Sequence, residues 1–302
     1  MWASLVNMFP PFVVLSIGTF LWHEVCWLAM NLPYTVLQYV EVPFFEHYKI
    51  QKGKRLDRKA TLHAIKSVLW SHFFVLLPAT LVTPVVAFLA FSLLYSDTTE
   101  LTWENLLRFG SPEHPFSVVV VEAELPPWQT LLWHVLFCQF VEDLLFYWFH
   151  RLLHTKWLYK RIHKVHHTHT APISWSAEVI HPAEFLIANI FPTMLGALLL
   201  RAHLFSLWCW IALAIYYSTE VHSGYIFPWS LERIPLIGFI YAGPRYHDRH
   251  HELFLGNYGS SLTWLDYVFG TCTATLIPQA TTAKSVGLSL SSSLSPGHRK
   301  EE

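Results

Sequence analysis

Charged side chains are scarce in this sequence of 302 residues. Asp, Glu, Lys and Arg make up 14% of it and apolar residues 53%, whereas a soluble domain carries about 25% charged residues. So little charge excludes a protein that exposes its whole surface to water, and the mean hydropathy of +0.34 indicates a membrane protein. The net charge of −1 also lacks the basic excess typical of nucleic-acid-binding proteins.

Several common motifs are also missing. The sequence has no dinucleotide-binding glycine fingerprint, no P-loop, no Ser nucleophile elbow and no Asn-x-Ser/Thr acceptor. Its four cysteines have neither metal-site nor disulfide spacing, which excludes a disulfide-stabilised scaffold and predicts buried free thiols.

Long apolar stretches supply the membrane-spanning segments. No Lys or Arg precedes the first stretch, which therefore favours a retained span over a cleaved signal peptide. The last stretch has one charge, Arg201, in 33 residues, and it fits either a re-entrant helical hairpin or two crossings. We predict an all-α integral membrane protein with three to four transmembrane or re-entrant helices, at 9–31, 67–95, 128–149 and 185–217.

The charges between these stretches alternate in sign. Segment 47–66 carries seven Lys/Arg against one acid, 96–127 carries six acids against one Arg, and 150–167 carries five Lys/Arg and no acid. The positive-inside rule predicts that the two basic segments face the cytosol. We divide the chain into membrane spans and loops (1–127), a histidine-rich domain (128–275) and a Ser/Thr-rich tail predicted to be disordered (276–302).

Histidine is abundant: twelve of the 19 lie between positions 150 and 251. Residues three or four apart project from the same side of a helix, so each motif would present its imidazoles together. Eight neutral imidazoles exceed what one tetrahedral site can use, which suggests two metal ions in a cytosolic helical cap. The motifs are HRLLH (His150, His154), HKVHH (His163, His166, His167) and HDRHH (His247, His250, His251).

Four residues outside these motifs are further candidates. His222 follows the last apolar stretch and is a predicted ligand, and His181 is a second candidate although Pro182 marks irregular backbone there. Glu142 and Asp143 lie within an apolar segment, where buried acids have partners. We predict that they accept the second N–H of a metal-binding imidazole.

Imidazole suits zinc, copper, iron and nickel, and a redox metal that activates O2 fits a lipid substrate that offers only C–H bonds.

The three motifs resemble the histidine boxes of the membrane fatty-acid hydroxylase/sterol desaturase superfamily, and within it those of the C-4 methylsterol monooxygenases. The similarity covers roughly residues 40 to 271. It includes HYKIQKGK at 47–54, AEVIHPAE at 177–184, EVHSGYIFPWS at 220–230 and the run that follows HDRHH up to position 270.

The resemblance implies an enzyme of the endoplasmic reticulum with a non-haem di-iron centre. It also implies that O2 and electrons from NAD(P)H are used, delivered by cytochrome b5 and its reductase, to oxidise the C4-methyl group of a sterol. The sequence has no haem-binding His-Pro-Gly-Gly, so the cytochrome would be a separate partner.

Other functions remain open. Cholesterol 25-hydroxylase-like enzymes share HKVHH, HSGY and FPWS, so another sterol or a fatty-acyl chain is an alternative substrate. A catalytically inactive regulator of lipid metabolism is a second alternative. A divalent-metal transporter would need ligands at the midplane of its spans, whereas these histidines follow basic segments at the ends of the spans.

Overall fold

The computed structural model describes residues 2–54, 57–94, 102–114 and 117–273, which are largely helical. Within these ranges, β-pairing is limited to isolated bridges such as Lys49 with Tyr225. The tail predicted to be disordered, 276–302, lies outside the described residues.

In the described part of the chain, five helices are long and apolar enough to cross a membrane. They confirm the predicted all-α membrane fold. The last predicted stretch, 185–217, is divided between two of them by a short turn at 200–203. The five helices are α1 (Pro11–Val40), α2 (Arg58–Leu89), α3 (Trp128–Leu153), α4 (Pro182–Leu199) and α5 (Leu204–Val221).

The turn between α4 and α5 contacts the segment that precedes α3. The backbone of Val120 donates to the carbonyl of Ala202 (3.0 Å) and accepts from Leu204 N–H (2.8 Å), and His203 Nε2 lies 3.0 Å from the carbonyl oxygen of Glu124. The α4–α5 hairpin therefore reaches the end of the bundle where α3 begins. This contact favours two crossings over a shallow re-entrant hairpin.

The helices run between two ends of the molecule. The acidic end comprises 102–114, 117–127 and 200–203, and the histidine end comprises 41–54, 154–181 and 222–273. Helix α1 begins at the acidic end, where Pro11 packs against Gly110. It finishes at the histidine end, where the Gln38 amide donates to Ser223 O at 3.0 Å. The basic segments thus share one end, as the charge pattern predicts.

Three of these helices contain a π-helical segment: Val14–Gly18 in α1, His72–Leu76 in α2 and Phe185–Ile190 in α4. Such segments shift the side chains that follow and are frequent at functional sites. Each of the three contributes a residue to the central cavity described below. Shorter helices are Trp2–Met8, Pro43–Glu46, Trp103–Arg108, Lys156–Arg161, Ile237–Ile240 and Trp264–Val268, together with the 3-10 helices His163–Thr168, Ser174–Glu178 and Leu231–Arg233. The last α-helical part of α2, Leu77–Leu94, extends beyond Leu89.

Candidate metal centre

Nine histidines converge in two adjacent clusters at the histidine end. In each cluster one ring nitrogen from every histidine lies within 4.8 Å of the others. All nine except His154 are buried. Cluster A consists of His150, His154, His163, His167 and His250, and cluster B of His166, His222, His247 and His251.

Four chain segments bring these residues together. Helix α3 ends in the first histidine motif, so that His150 lies in its last turn and His154 follows it. The second motif forms the 3-10 helix His163–Thr168. His222 caps the carboxyl end of α5. The third motif lies on a helix of its own, α6 (Pro244–Leu253), which begins with Pro244 at its first position.

The second and third motifs each supply both clusters. On α6, His247 and His251 belong to cluster B and His250 to cluster A. The residues three and four positions after a given residue lie on the same side of a helix as that residue, but they are about 100° apart from each other around the axis. A single helix can therefore supply two neighbouring sites. The second motif is divided in the same way, since His166 joins cluster B while its two partners join cluster A.

Hydrogen bonds at Nδ1 fix the tautomer of four of these imidazoles. An Nδ1–H that donates to an oxygen leaves Nε2 as an unprotonated acceptor. The acceptor of His163 is a carboxylate oxygen of Glu184 at 2.6 Å. The others are backbone carbonyls: Tyr258 O for His150 (3.0 Å), Gly256 O for His250 (2.6 Å) and Ser218 O for His222 (2.8 Å).

The Nε2 atoms of each cluster then face one another. In cluster A, His167 Nε2 lies 3.1 Å from His163 Nε2 and 3.2 Å from His250 Nε2. In cluster B, the Nε2 atoms of His222 and His247 are 2.9 Å apart. Lone pairs that converge in this way repel one another unless a cation lies between them. The donor sets therefore fit two metal ions, one in each cluster.

Burial keeps these imidazoles neutral, as metal binding requires. Loss of solvent lowers the pKa of His222 and of His250 to about 4. It also lowers the pKa of His154 to about 2, with the neighbouring imidazoles adding to the effect. At neutral pH each of these side chains therefore offers a lone pair.

Glu142 and Asp143 have partners other than imidazoles. Glu142 accepts from the Ser260 hydroxyl at 2.8 Å. Asp143 accepts from Trp264 Nε1 (2.6 Å) and from the backbone N–H groups of Ser261 and Leu262. Among the described residues, neither receives an imidazole N–H, so the structure gives the predicted role no support. Glu142 and Asp143 lie eight and seven residues before His150 on α3, which is about 10–12 Å along the helix axis. Asp143 instead anchors the segment that supplies the Tyr258 carbonyl.

The carboxylate that contacts an imidazole of the two clusters, among the described residues, is Glu184, which the sequence-based prediction did not include. It is buried at the start of α4, two residues after Pro182. Its signal was an acid at the edge of an apolar stretch, whereas Glu142 was selected because it lies within one. His181 belongs to neither cluster. Its Nδ1 accepts from the Ala183 backbone N–H at 3.1 Å, which caps α4.

A cavity of about 190 Å³ connects the clusters to the interior of the bundle. Five of the cluster histidines line one part of it: His150, His163, His166, His222 and His247. The rest is largely apolar, with a side chain from each of the five long helices: Leu15, Leu76, Phe146, Met194 and Ile215. A lipid-like molecule in this cavity would reach both clusters from within the membrane.

Known proteins match this chain over most of its length. The family model described as fatty acid hydroxylase matches residues 135–271. A methylsterol monooxygenase of Arabidopsis thaliana is 36% identical over 275 residues, which cover 89% of this chain and 90% of the relative. The chain belongs to the fatty acid hydroxylase family. A very-long-chain aldehyde decarbonylase of Oryza sativa subsp. indica is 35% identical over 274 residues, 89% of each chain. No solved structure matches the chain significantly.

The fatty acid hydroxylase match contains the whole candidate metal centre. Residues 135–271 include all nine cluster histidines, Glu184 and the carbonyls of Gly256 and Tyr258. Helices α1 and α2 precede the matched region, although they supply two of the five walls of the cavity.

Proposed function

We propose that this protein is a membrane monooxygenase that oxidises the C4-methyl group of 4-methylsterols at a non-haem di-iron centre. The observation that carries the proposal is a single cavity bordered by both histidine clusters and by apolar side chains of all five long helices. The relatives named methylsterol monooxygenase support the sterol assignment.

The chain itself holds the metals, orients their ligands and encloses the substrate. The nine histidines would bind two iron ions, whose bound form supplies the O2-dependent oxidation of a C–H bond. Glu184 and the three backbone carbonyls keep the imidazole rings in place. The apolar walls position a lipid against the clusters and exclude bulk water, so that proximity and orientation assist the reaction.

The electron donor and the location belong to the same proposal. Electrons from NAD(P)H would arrive through cytochrome b5 and its reductase at the histidine end, which carries the two basic segments 47–66 and 150–167. With this end in the cytosol, the protein would lie in the endoplasmic reticulum membrane. The positive-inside rule supports that orientation.

Rescue of a cell that lacks methylsterol oxidase tests the proposed function. Expression of the wild-type chain should remove the accumulated 4-methylsterols and, with the downstream steps blocked, yield 4-carboxysterols. His250→Ala should not rescue, because it removes a ligand of cluster A. His169→Ala is the matched control: this histidine follows the second motif, lies in neither cluster and should leave rescue intact.

Other products would point to other functions. A side-chain oxysterol or a hydroxylated acyl chain, with the 4-methylsterols unchanged, would replace the C4 assignment by one of the alternative hydroxylase activities. Consumption of long-chain aldehydes would favour the activity named for the rice relatives. An absence of any oxidation product from metal-loaded protein with its electron donors would favour an inactive regulator.

A further inference from the structure

A third group of titratable side chains lies beside the same cavity. It comprises His23 and Glu24 of α1, His72 of α2 and Glu178 of the 3-10 helix Ser174–Glu178, and we call it the Glu–His cluster. The side chain of His72 is fully buried, and those of the other three are 12–17% exposed. Burial of four ionisable groups carries a cost that a purely structural contact between helices does not need.

The contacts of the Glu–His cluster differ from those of the metal clusters. Here nitrogen faces oxygen: His72 Nδ1 lies 2.8 Å from Glu24, its Nε2 contacts Glu178, and His23 Nδ1 lies 3.2 Å from Glu24. The two ring nitrogens of His72 thus lie beside separate carboxylates, and its Nε2 forms a hydrogen bond with Glu178. Two imidazolium and two carboxylate groups would also balance in charge. One ligand atom each of His23, His72 and Glu178 also lie within 4.8 Å of one another, so a metal ion is the competing occupant, and the balance of charge favours a hydrogen-bonding site.

One side of the Glu–His cluster is incomplete. His23 Nε2 and Glu178 Oε1 are 3.6 Å apart, beyond a normal hydrogen bond, and both side chains line the cavity. A hydroxyl group placed between them could accept from His23 and donate to Glu178. An aldehyde or ketone oxygen could only accept, and a hydrocarbon could do neither.

The gap between His23 and Glu178 faces the same cavity as the histidines of the two clusters. Glu178 and Ala177 line the same cavity as His163, His166 and Glu184. A hydroxyl held at Glu178 would keep the carbons next to it at the histidine side of the cavity. The apolar remainder of the molecule would extend along Leu15, Leu76 and Ile215.

We propose that the Glu–His cluster is a hydroxyl-binding subsite, so that the substrate is a lipid alcohol whose hydroxyl lies close to the carbon that is oxidised. This inference rests on the proposed function, because a 4-methylsterol carries its hydroxyl on the carbon adjacent to C4. It gives His23 and Glu178 the role of orienting the substrate.

Binding of matched sterols tests the subsite without any oxidation. Metal-loaded protein in lipid nanodiscs, without reductant, would be titrated with a 4,4-dimethylsterol bearing a 3β-hydroxyl, no oxygen, or a 3-methoxy group. The wild type should bind the hydroxyl form roughly tenfold more tightly than either analogue, as expected for a hydrogen bond to a charged group. Equal affinity for the three sterols would overturn the proposal.

Glu178→Gln and Glu24→Gln form a matched pair of variants. Each removes one of the two carboxylates that flank His72, but only Glu178 lines the cavity. Glu178→Gln should reduce the preference for the hydroxyl form, and Glu24→Gln should leave it near the wild-type value even if both variants lose stability. Equal loss of preference in both would contradict the assignment. If neither variant folds, the wild-type sterol series still decides.

Two further outcomes separate this inference from the proposed function. If none of the sterols binds, a long-chain alcohol and its alkane replace them. A preference for the alcohol would retain the subsite and reject the sterol, whereas equal binding would reject the subsite. A third equivalent of tightly bound metal, lost in His23→Gln, would show a metal site at this position and overturn the inference.

Discussion

Whether a histidine in this protein lies in a metal cluster depends on its place in the fold as well as on its motif. His222 lies outside the three motifs, yet it joins cluster B because α5 ends there and Ser218 O holds its ring. His181 is followed directly by Pro182, and its nitrogen caps α4 instead. Both were candidates from their positions in the sequence, which cannot show where the chain turns.

Replacement of these two histidines should have opposite effects on metal content. His222→Ala should lower the metal bound at cluster B, since one of four imidazoles is lost. His181→Ala should retain the wild-type metal content, although its cap hydrogen bond is lost. Elemental analysis of both purified variants provides the measurement. Metal loss in His181→Ala equal to that in His222→Ala would show that His181 is a ligand.

Glu184 should set the metal affinity of cluster A. Its carboxylate accepts the Nδ1–H of His163 at 2.6 Å, which orients the ring and increases its basicity. Glu184→Gln keeps the shape but removes the charge, so we expect metal affinity to fall roughly 10- to 100-fold in competition with a chelator. Glu113→Gln, at an exposed position of the acidic end, is the control. Unchanged affinity in Glu184→Gln would mean that this hydrogen bond does not tune the metal.

At the scale of elements, the motifs predicted which histidines converge better than how they are arranged. All eight motif histidines lie in the two clusters, and the hydropathy pattern located the spans. The spacing could not show that α6 and the second motif each supply both sites. Nor could it pair the acids correctly, because Asp143 contacts a segment more than a hundred residues away in the chain. Such pairings depend on how distant segments pack.

The packing of α3 against α4 depends on one residue without a side chain. A Cβ at Gly196 would lie 2.7 Å from Cys138 Cα, closer than atoms can approach. Gly196→Ala should therefore separate the helices and destabilise the protein by about 1–3 kcal/mol, the usual cost of overpacking. Thermal unfolding in nanodiscs should show a lower midpoint, while Leu199→Ala at an exposed position of α4 should change it little. Equal midpoints for the two variants would contradict this close contact.

At the scale of the whole molecule, the metals should hold the histidine end together. The two clusters join α3, α5, α6 and the 3-10 helix His163–Thr168 through nine imidazoles. Ions that bind the folded state stabilise it by mass action. We expect a metal-to-protein ratio near two and a lower unfolding midpoint after removal of metal by a chelator. A ratio of one in active protein, or an unchanged midpoint, would contradict two structural metal sites.

The topology of the molecule can be tested at its two ends. Helix α3 has 26 residues and is therefore about 39 Å long, enough to cross a hydrocarbon core of about 30 Å. It separates the acidic end from the histidine end, which holds both 154–181 and 222–273. Engineered glycosylation acceptors near Glu113 should be modified in the lumen of the endoplasmic reticulum, whereas acceptors near Lys156 and near Asn257 should not. Modification near Asn257 but not near Lys156 would place the third motif across the membrane from the first two. Neither metal cluster could then form, because His250 and His251 would be separated from their partners in the first two motifs.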